Sequence, residues 1–510
     1  MPFLPCNWQL LGYLISLLHE KFFSVCKVVF SGEYFMQVPD QLLRQITAAG
    51  QEHLLKFFDE LSDAEQKSFI DTLSGQDWEL LPALIKKYVL EKGSFALPED
   101  LLPAPFFPLV PRNAEEADYY AQADIAGARA LSAGAVAAIT VAGGQGSRLG
   151  FEGPKGTYPI APVSGKTLFQ YFAEAIASAS RKYNTSLHWY IMTSVINDKA
   201  TRDFFAENDY FGLGPDRVHF FTQGFMPAIG YDGKLLMADK GSLALSPDGH
   251  GGTLLALRKN GMLDDMKARG IEYLSYFQVD NPLVPVVDKR FIGLHILEGS
   301  EMSAITLTKT NAHEKVGNFC MSANKLHVIE YSDLPEELAV ATDENGKLKF
   351  IAGSPAIHVI SRAFVERLTV GGRLELDWHR ADKKIKCIDA NGKPVEPESP
   401  NGVKLESFIF DALKLAGKTM IFEADRKEEF APTKNATGVD SVESCRLMMI
   451  DRDARRLERC GVKIPRNADG SVNCKVELSP LAVWDDEDCL QYVEKHAVTE
   501  IKPGAEIYLV

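Results

Sequence analysis

Positive charge is scarce in this sequence. The 510 residues include 55 Lys and Arg against 69 Asp and Glu, for a net charge of −14. Such a balance opposes binding to nucleic acid or to an anionic membrane surface, so we expect neither partner. Any phosphate site must therefore be built locally, from backbone N–H groups and a few Lys or Arg side chains.

Paired cysteines and long apolar runs are also missing. The eight cysteines are scattered without a C-x-x-C pair, which favours reduced thiols in a cytoplasmic protein over a zinc site or a disulfide framework. The apolar run at 9–18 is too short to span a bilayer. We expect residues 1–35 to be an atypical N-terminal extension, with Met36 opening the protein proper and an interfacial anchor as the alternative.

The rest of the chain is predicted to contain three regions. Residues 36–112 are expected to form a helical N-terminal region that ends in a proline-rich linker, and a helix is expected from about Ala114 to Ser132. In 113–440 buried strands such as A-V-A-A-I-T-V alternate with helices, and a further helix is expected over 400–416. This alternation predicts an α/β domain with a mostly parallel, Rossmann-like sheet covered by helices on both faces. Residues 441–510 are expected to form a small β-rich domain.

A glycine-rich segment follows the first predicted strand of that sheet. Residues 141–150 read V-A-G-G-Q-G-S-R-L-G, and P-K-G follows at 154–156. Glycines let the backbone approach a ligand closely, and Arg148 and Lys155 add the positive charge that the chain otherwise has little of. The spacing fits neither a P-loop nor a Rossmann fingerprint, so it predicts a phosphate site of another type.

The segment resembles the nucleotide-binding signature of the eukaryotic-type UDP-sugar pyrophosphorylases, in particular those that act on N-acetylglucosamine 1-phosphate. Further blocks occur in the family's order at 223–228, 247–252, 279–281, 316–317, 328–332, 400–404 and 429–436. The resemblance implies a nucleotidyltransferase fold and the joining of UTP to a sugar 1-phosphate with release of pyrophosphate. It also implies Mg²⁺ as cofactor, with Mn²⁺ as a substitute, and a monomer or weak homodimer.

The resemblance assigns residues to the nucleotide and its phosphates. Those expected at the uracil and ribose are Gly143, Gly144, Gln223 and Gly249; those expected at the phosphates are Arg148, Lys155 and Lys434. An amide such as Gln223 offers both a donor and an acceptor to the uracil edge, although it could also be a solvated loop residue. Asp280 ends a predicted strand and is expected to bind the metal, with capping of the next turn as the alternative.

The resemblance also assigns a sugar site: His250, Gly317, Glu330, Gly353, Lys404, Phe408 and Phe410. On a strand, Phe408 and Phe410 would share one face and could contact an acetyl methyl, but they could equally be core aromatics. Two departures from the hexosamine enzymes occur here: His250 replaces a usual Asn, and Ile351 and Ser354 replace two amide residues. N-acetylglucosamine 1-phosphate is the expected acceptor, and the alternatives are glucose or galactose 1-phosphate, or a binding protein without activity.

Overall fold

A computed structural model describes residues 37–92 and 97–510. The predicted N-terminal extension lies outside these residues. The chain divides into two compact units, and the first combines the N-terminal region with Pro227–Ser246 and Asp382–Lys404. The second unit contains everything else, including 441–510, so the division differs from the predicted boundaries. Compact units follow spatial contacts, whereas the predicted boundaries followed changes in sequence pattern.

Buried polar contacts explain why the first unit includes segments distant in sequence. The Gln51 side chain donates to Gly233 O at 3.0 Å and accepts from Leu235 N at 2.9 Å. Gly402 also pairs with Gly230 in an antiparallel ladder. The main elements of this unit are helices Asp40–Ala48, Asp63–Ser74 and Leu81–Leu84, and strands Ile229–Gly230, Met237–Asp239, Ser242–Leu243, Cys387–Ile388 and Pro394–Val395.

The second unit contains an 11-stranded sheet. Its strands are β1 (Val136–Val141), β2 (His188–Thr193), β3 (Val218–Thr222), β4 (Tyr273–Gln278), β5 (Met302–Thr308), β6 (Gly317–Ser322), β7 (Lys325–Ile329), β8 (Ala352–Ser354), β9 (His358–Ser361) and β10 (Thr419–Glu423), with the short edge strand Leu102–Pro103. The order is edge strand, β6, β8, β5, β9, β4, β1, β2, β3, with β7 beside β6 and β10 beside β5.

Strands β4, β1, β2 and β3 are neighbours and run parallel. Five of the six residues of β1 are buried, which fits a central strand covered on both faces. Strand β9 runs antiparallel to β4 and β5, and β5 is parallel to β10. The α/β class with a large central sheet is thus confirmed. The carboxyl ends of the parallel strands meet at one edge, where such sheets bind ligands.

Helices pack against this sheet, and several of them begin at side-chain caps. Asn113 accepts a hydrogen bond from Glu116 N at the start of the predicted helix Ala114–Ser132, and Thr167 accepts one from Gln170 N. The α-helices of seven or more residues in the described part of this unit are α1 (Ala114–Ser132), α2 (Leu168–Lys182), α3 (Asp198–Glu207), α4 (Thr253–Lys259), α5 (Met262–Ala268), α6 (Lys289–Leu297), α7 (Arg362–Leu368), α8 (Val442–Arg459) and α9 (Asp486–His496). Among the described residues, no helix is both long and apolar enough to cross a membrane.

Two secondary-structure predictions are wrong. The segment 400–416 forms strand Gly402–Ser407 and a 3₁₀ helix at Ile409–Leu415, because alternate residues of the strand are buried and impose a period of two. The C-terminal segment is more helical than β-rich. It contains α8, which begins at a Ser441 capping box, and α9, with only one parallel pair of strands, β11 (Lys475–Leu478) and β12 (Glu506–Leu509).

Candidate active site

The glycine loop after β1 is held by residues that follow β2. Asn197 Nδ2 donates to Ala142 O at 2.9 Å and to Gly144 O at 3.3 Å. Ser194 Oγ donates to Gly143 O at 2.9 Å. Neither side chain was predicted from the sequence. Both could have been found from their position directly after a second buried strand, because the carboxyl end of that strand lies beside the carboxyl end of β1.

The loop also bonds to itself. Gly146 N donates to Gly153 O at 2.9 Å, and Lys155 N donates to Gly144 O at 3.0 Å. The Gly146 N–H therefore stabilises the loop rather than facing a phosphate. A Cβ atom on Gly144 would meet nothing within 4 Å, so this position is open. Arg148 is exposed and forms no ion pair with the described part of the chain.

The residues predicted to bind the nucleotide lie together. A Cβ atom on Gly143 would lie 2.3 Å from Gln223 Oε1, so a side chain there would displace the amide. Gln223 is 7% exposed, which rules out a solvated loop residue, and its Nε2 donates to Asp248 Oδ1 at 3.4 Å. Gly249 follows Asp248 with φ of +86°, and a Cβ there would lie 2.3 Å from Ser407 O. Glycine is therefore required at this position by both conformation and space.

A carboxylate and two lysines lie at the end of β4. Lys155 Nζ is 3.6 Å from Asp280 Oδ2. Thr433 N donates to Asp280 O at 2.8 Å, which ties the segment that carries Lys434 to the end of the strand. Lys434 Nζ lies 3.8 Å from Asp440 Oδ2. Three segments distant in sequence thus bring Lys155, Asp280 and Lys434 to the same sheet edge.

Asn281, rather than Asp280, stabilises the following turn. Its Oδ1 accepts hydrogen bonds from Leu283 N at 3.3 Å and Ala431 N at 2.9 Å. Its Nδ2 donates to Glu429 O at 2.7 Å. The Asp280 carboxylate instead points to an ammonium group, so the capping alternative for Asp280 is wrong.

Six of the residues predicted to bind metal, phosphate or sugar share one cavity of about 170 Å³: Asp280, Lys434, His250, Gly317, Glu330 and Phe410. The wall combines the charged groups of Asp280, Lys434 and Glu330 with aromatic side chains. The remaining lining residues are Phe277, Gln278, Asn281, Lys315, Val316, Ser354, Pro355, Ala356, Ile357, Phe430 and Pro432.

His250 is held in one tautomer beside the two phenylalanines. Burial lowers the pKa of His250 to about 4, so the ring is neutral near pH 7. Its Nδ1 accepts a hydrogen bond from Ile409 N at 3.2 Å, which leaves the proton on Nε2. Phe408 stacks on His250 and His379, with ring centroids 5.2 Å and 4.3 Å away. Phe408 is therefore a packing residue, whereas Phe410 lines the cavity.

Glu330 and Ser354 also line the cavity. Burial raises the pKa of Glu330. Ser354 Oγ is buried and has no hydrogen-bond partner among the residues that the structure describes. In the sequence Ser354 stood only for the loss of an amide, whereas in the structure the residue lines the cavity and its hydroxyl is unpaired among the described residues.

Besides Phe408, two predicted sugar-site residues, Gly353 and Lys404, do not line the cavity. A Cβ on Gly353 would lie 3.0 Å from Val316 Cγ2 and 3.2 Å from Lys309 Cγ, so this glycine makes room for neighbouring side chains. Lys404 belongs to the first compact unit and is not among the described lining residues. The structure therefore supplies no contact that supports a sugar role for either residue.

Comparison with known proteins agrees with this geometry. The family described as UTP–glucose-1-phosphate uridylyltransferase matches residues 111–480. UDP-N-acetylglucosamine diphosphorylase 1 of Arabidopsis thaliana is 34% identical, over 88% of this chain and 89% of its own length. UDP-N-acetylglucosamine pyrophosphorylase of Saccharomyces cerevisiae is also 34% identical, over 88% and 96%.

Solved structures of UDP-sugar pyrophosphorylases also match this chain. The uridine diphosphate N-acetylglucosamine pyrophosphorylase of Trypanosoma brucei matches with a TM-score of 0.79 and 26% identity, over 93% of this chain and 99% of its own. A UDP-glucose pyrophosphorylase mutant of Leishmania major shares the fold at a TM-score of 0.57 and 17% identity. The family match over most of the chain and the sequence identity to the curated relatives together show that this chain belongs to the UTP–glucose-1-phosphate uridylyltransferase family.

Proposed function

We propose that the protein transfers the uridylyl group of UTP to N-acetylglucosamine 1-phosphate, forming UDP-N-acetylglucosamine and pyrophosphate. The observation that carries the proposal is the cavity, whose wall combines Asp280 and Lys434 with Glu330 and Phe410. Asp280 and Lys434 suit a metal ion and phosphates, and Glu330 and Phe410 suit a sugar. The names of the relatives that match most of the chain support this acceptor.

The transfer itself needs no protein nucleophile. A phosphate oxygen of the sugar 1-phosphate attacks the α-phosphorus of UTP; the bond from that phosphorus to the β-phosphate oxygen breaks, and pyrophosphate leaves with the electron pair. The protein acts by positioning the reactants and by stabilising negative charge. Lys155 and Lys434 neutralise charge at the triphosphate. The exposed side chain of Arg148 can reach the terminal phosphate of UTP.

Asp280 is the residue that would hold Mg²⁺ or Mn²⁺. The described residues contain no group of three or more His, Cys, Asp or Glu placed to bind a metal ion. A single carboxylate suits Mg²⁺, which takes most of its oxygen ligands from phosphates and water. The position of the Asp280 carboxylate at the end of β4, facing the cavity, fits that donor set. When bound, the ion would supply positive charge to the phosphates.

Three groups of the cavity wall would select the sugar. Glu330 can accept hydrogen bonds from hydroxyls, and His250 Nε2–H can donate to sugar oxygens. Phe410 offers an apolar surface to an acetyl methyl. A methyl-sized contact is worth only about 1–3 kcal/mol, so we expect preference for the N-acetylated sugar with measurable use of related sugars.

A second candidate is the same reaction with glucose or galactose 1-phosphate. It is favoured by the His250 imidazole, which stands where the hexosamine enzymes usually have an amide and which could bond directly to a plain hexose hydroxyl. A substrate panel separates the two candidates: pyrophosphate release from UTP is measured at equal concentrations of each sugar 1-phosphate.

The proposal expects N-acetylglucosamine 1-phosphate to give the highest initial rate, with no release when UTP is omitted. A tenfold or greater advantage for glucose or galactose 1-phosphate would establish the second candidate instead. If no sugar phosphate gives pyrophosphate release, the protein is a nucleotide-sugar binding protein without activity.

A further inference from the structure

Asp248, to which the sequence analysis assigned no role, sits in a space made by two glycines. A Cβ on Gly224 would lie 2.4 Å from Asp248 Oδ2, and one on Gly252 would lie 2.3 Å from Oδ1. Neither glycine has a positive φ, so the backbone conformation does not require glycine at either position. Glycine is required at both positions because the Asp248 carboxyl group occupies the space that a side chain would need.

The backbone on either side fixes Asp248 in place. Asp248 N donates to Gly224 O at 3.2 Å, and Ser407 donates to Asp248 O from its N at 2.8 Å and its Oγ at 3.0 Å. The carboxyl group is thereby directed at Gln223, whose Nε2 donates to Oδ1 at 3.4 Å. The Gln223 Oε1 atom lies on the opposite side, next to Gly143.

We infer that Asp248 is a positioning residue that fixes the orientation of the Gln223 amide and thereby selects uracil over cytosine. The inference rests on the proposed function, in which Gln223 binds the base. With one N–H given to Asp248, the amide presents Oε1 and its second N–H, which match the N3–H and a carbonyl of uracil. A flipped amide would place Oε1 against the carboxylate. Cytosine has a lone pair at N3, which repels Oε1 in the fixed orientation of the amide, so it is rejected.

The charge of Asp248 supports this arrangement and predicts its pH dependence. Burial raises the pKa of Asp248 to about 6, against the Gln223 hydrogen bond and the positive charge of Lys259 on α4, which both lower it. Gly224 and Gly252, which also pack against the carboxyl group, carry no charge. Above pH 6 the carboxylate only accepts hydrogen bonds and holds the amide. As the pH falls through 6, the protonated group can donate to Oε1 and the preference is lost.

The test compares kcat/KM for UTP and CTP, with saturating N-acetylglucosamine 1-phosphate, in the wild type and in Asp248→Asn. Asn can donate as well as accept, so the amide of Gln223 can turn. We expect the UTP to CTP ratio to fall at least about tenfold, with most of the change in KM. The matched control Asp203→Asn, on the exposed face of α3, should leave the ratio unchanged. The wild-type ratio should also fall between pH 7.5 and pH 5.5; both nucleotides carry the same triphosphate, so its protonation cancels.

A second set of variants tests the inference even if Asp248→Asn does not fold. In Gly252→Ala the new methyl would displace the carboxyl group, since its three nearest atoms all belong to the Asp248 side chain. We expect Gly252→Ala to reduce the ratio, and Asp248→Ala/Gly252→Ala to match Asp248→Ala alone, because the clash is then absent.

An active enzyme whose ratio is unchanged in Asp248→Asn, or effects of Asp248→Ala and Gly252→Ala that simply add, would overturn the inference. A wild-type protein that uses UTP with no sugar phosphate would instead overturn the proposed function, and the inference with it.

Discussion

Asp280 is the residue on which the proposed chemistry depends most. Asp280→Asn keeps the size and the hydrogen-bonding capacity of the side chain but removes its charge. We expect pyrophosphate release to fall by about a hundredfold or more, the effect of losing a group that organises charge at the reacting phosphates. Circular dichroism and the melting temperature should stay close to wild type. Near-normal turnover would remove Asp280 from the metal role.

Lys155 lies 3.6 Å from Asp280 and is one of the few cations of the site. In Lys155→Ala we expect the KM for UTP to rise at least about tenfold, because a phosphate-neutralising charge is lost. Lys199, exposed on α3 and paired with Asp203, is the matched control, and Lys199→Ala should behave as wild type. Initial rates at varied UTP distinguish the two variants; equal KM values would contradict the assignment of Lys155.

At the scale of elements, helices α1 and α6 approach until their backbones touch. A Cβ on Gly127 of α1 would lie 1.7 Å from Lys289 O, and one on Gly293 of α6 would lie 1.7 Å from Ala123 O. Gly127→Ala should therefore force the helices apart and lower the free energy of unfolding by about 1–3 kcal/mol or more. Gly75, whose Cβ would meet only atoms at 3.5 Å, is the control, and Gly75→Ala should not destabilise. Urea unfolding measures both; equal midpoints for Gly127→Ala and wild type would show that the helices can separate freely.

At the scale of the whole molecule, buried neutral histidines make stability depend on pH. His295 is fully buried between Ser303 Oγ and Ser361 Oγ, at 2.7 Å and 2.9 Å. Burial lowers its pKa to about 3. The unfolded chain takes up the proton below about pH 6.5, so the stability that His295 contributes is present above that pH and is lost as the pH falls towards 3.

Compared with His295→Gln, the wild type should therefore lose about 2 kcal/mol more of its unfolding free energy between pH 7 and pH 5. Groups with raised pKa values, such as Glu330, act in the opposite direction, and the comparison with the variant cancels them. Urea unfolding followed by circular dichroism at the two pH values measures the difference. Parallel losses in the two proteins would mean that His295 is protonated in the folded state.

The sequence by itself determined the α/β class, the first four parallel strands and most of their helices. Short continuous apolar runs such as 136–141, rich in β-branched residues and followed by glycines, favour strands buried on both faces, and Asn113 marks the start of α1 through a local cap. Both signals depend on near neighbours in the chain. The family motifs likewise identified Asp280, Lys434, Glu330 and His250 because their spacing lies within short segments.

Only the tertiary structure decided which of these side chains share a cavity. Phe408 and Phe410 lie two residues apart, yet a change from strand to 3₁₀ helix between them turns one towards His379 and the other into the cavity. The free hydroxyl of Ser354 and the fit of Asp248 between Gly224 and Gly252 depend on contacts between distant segments. Such contacts arise from packing, which no local pattern in the sequence encodes.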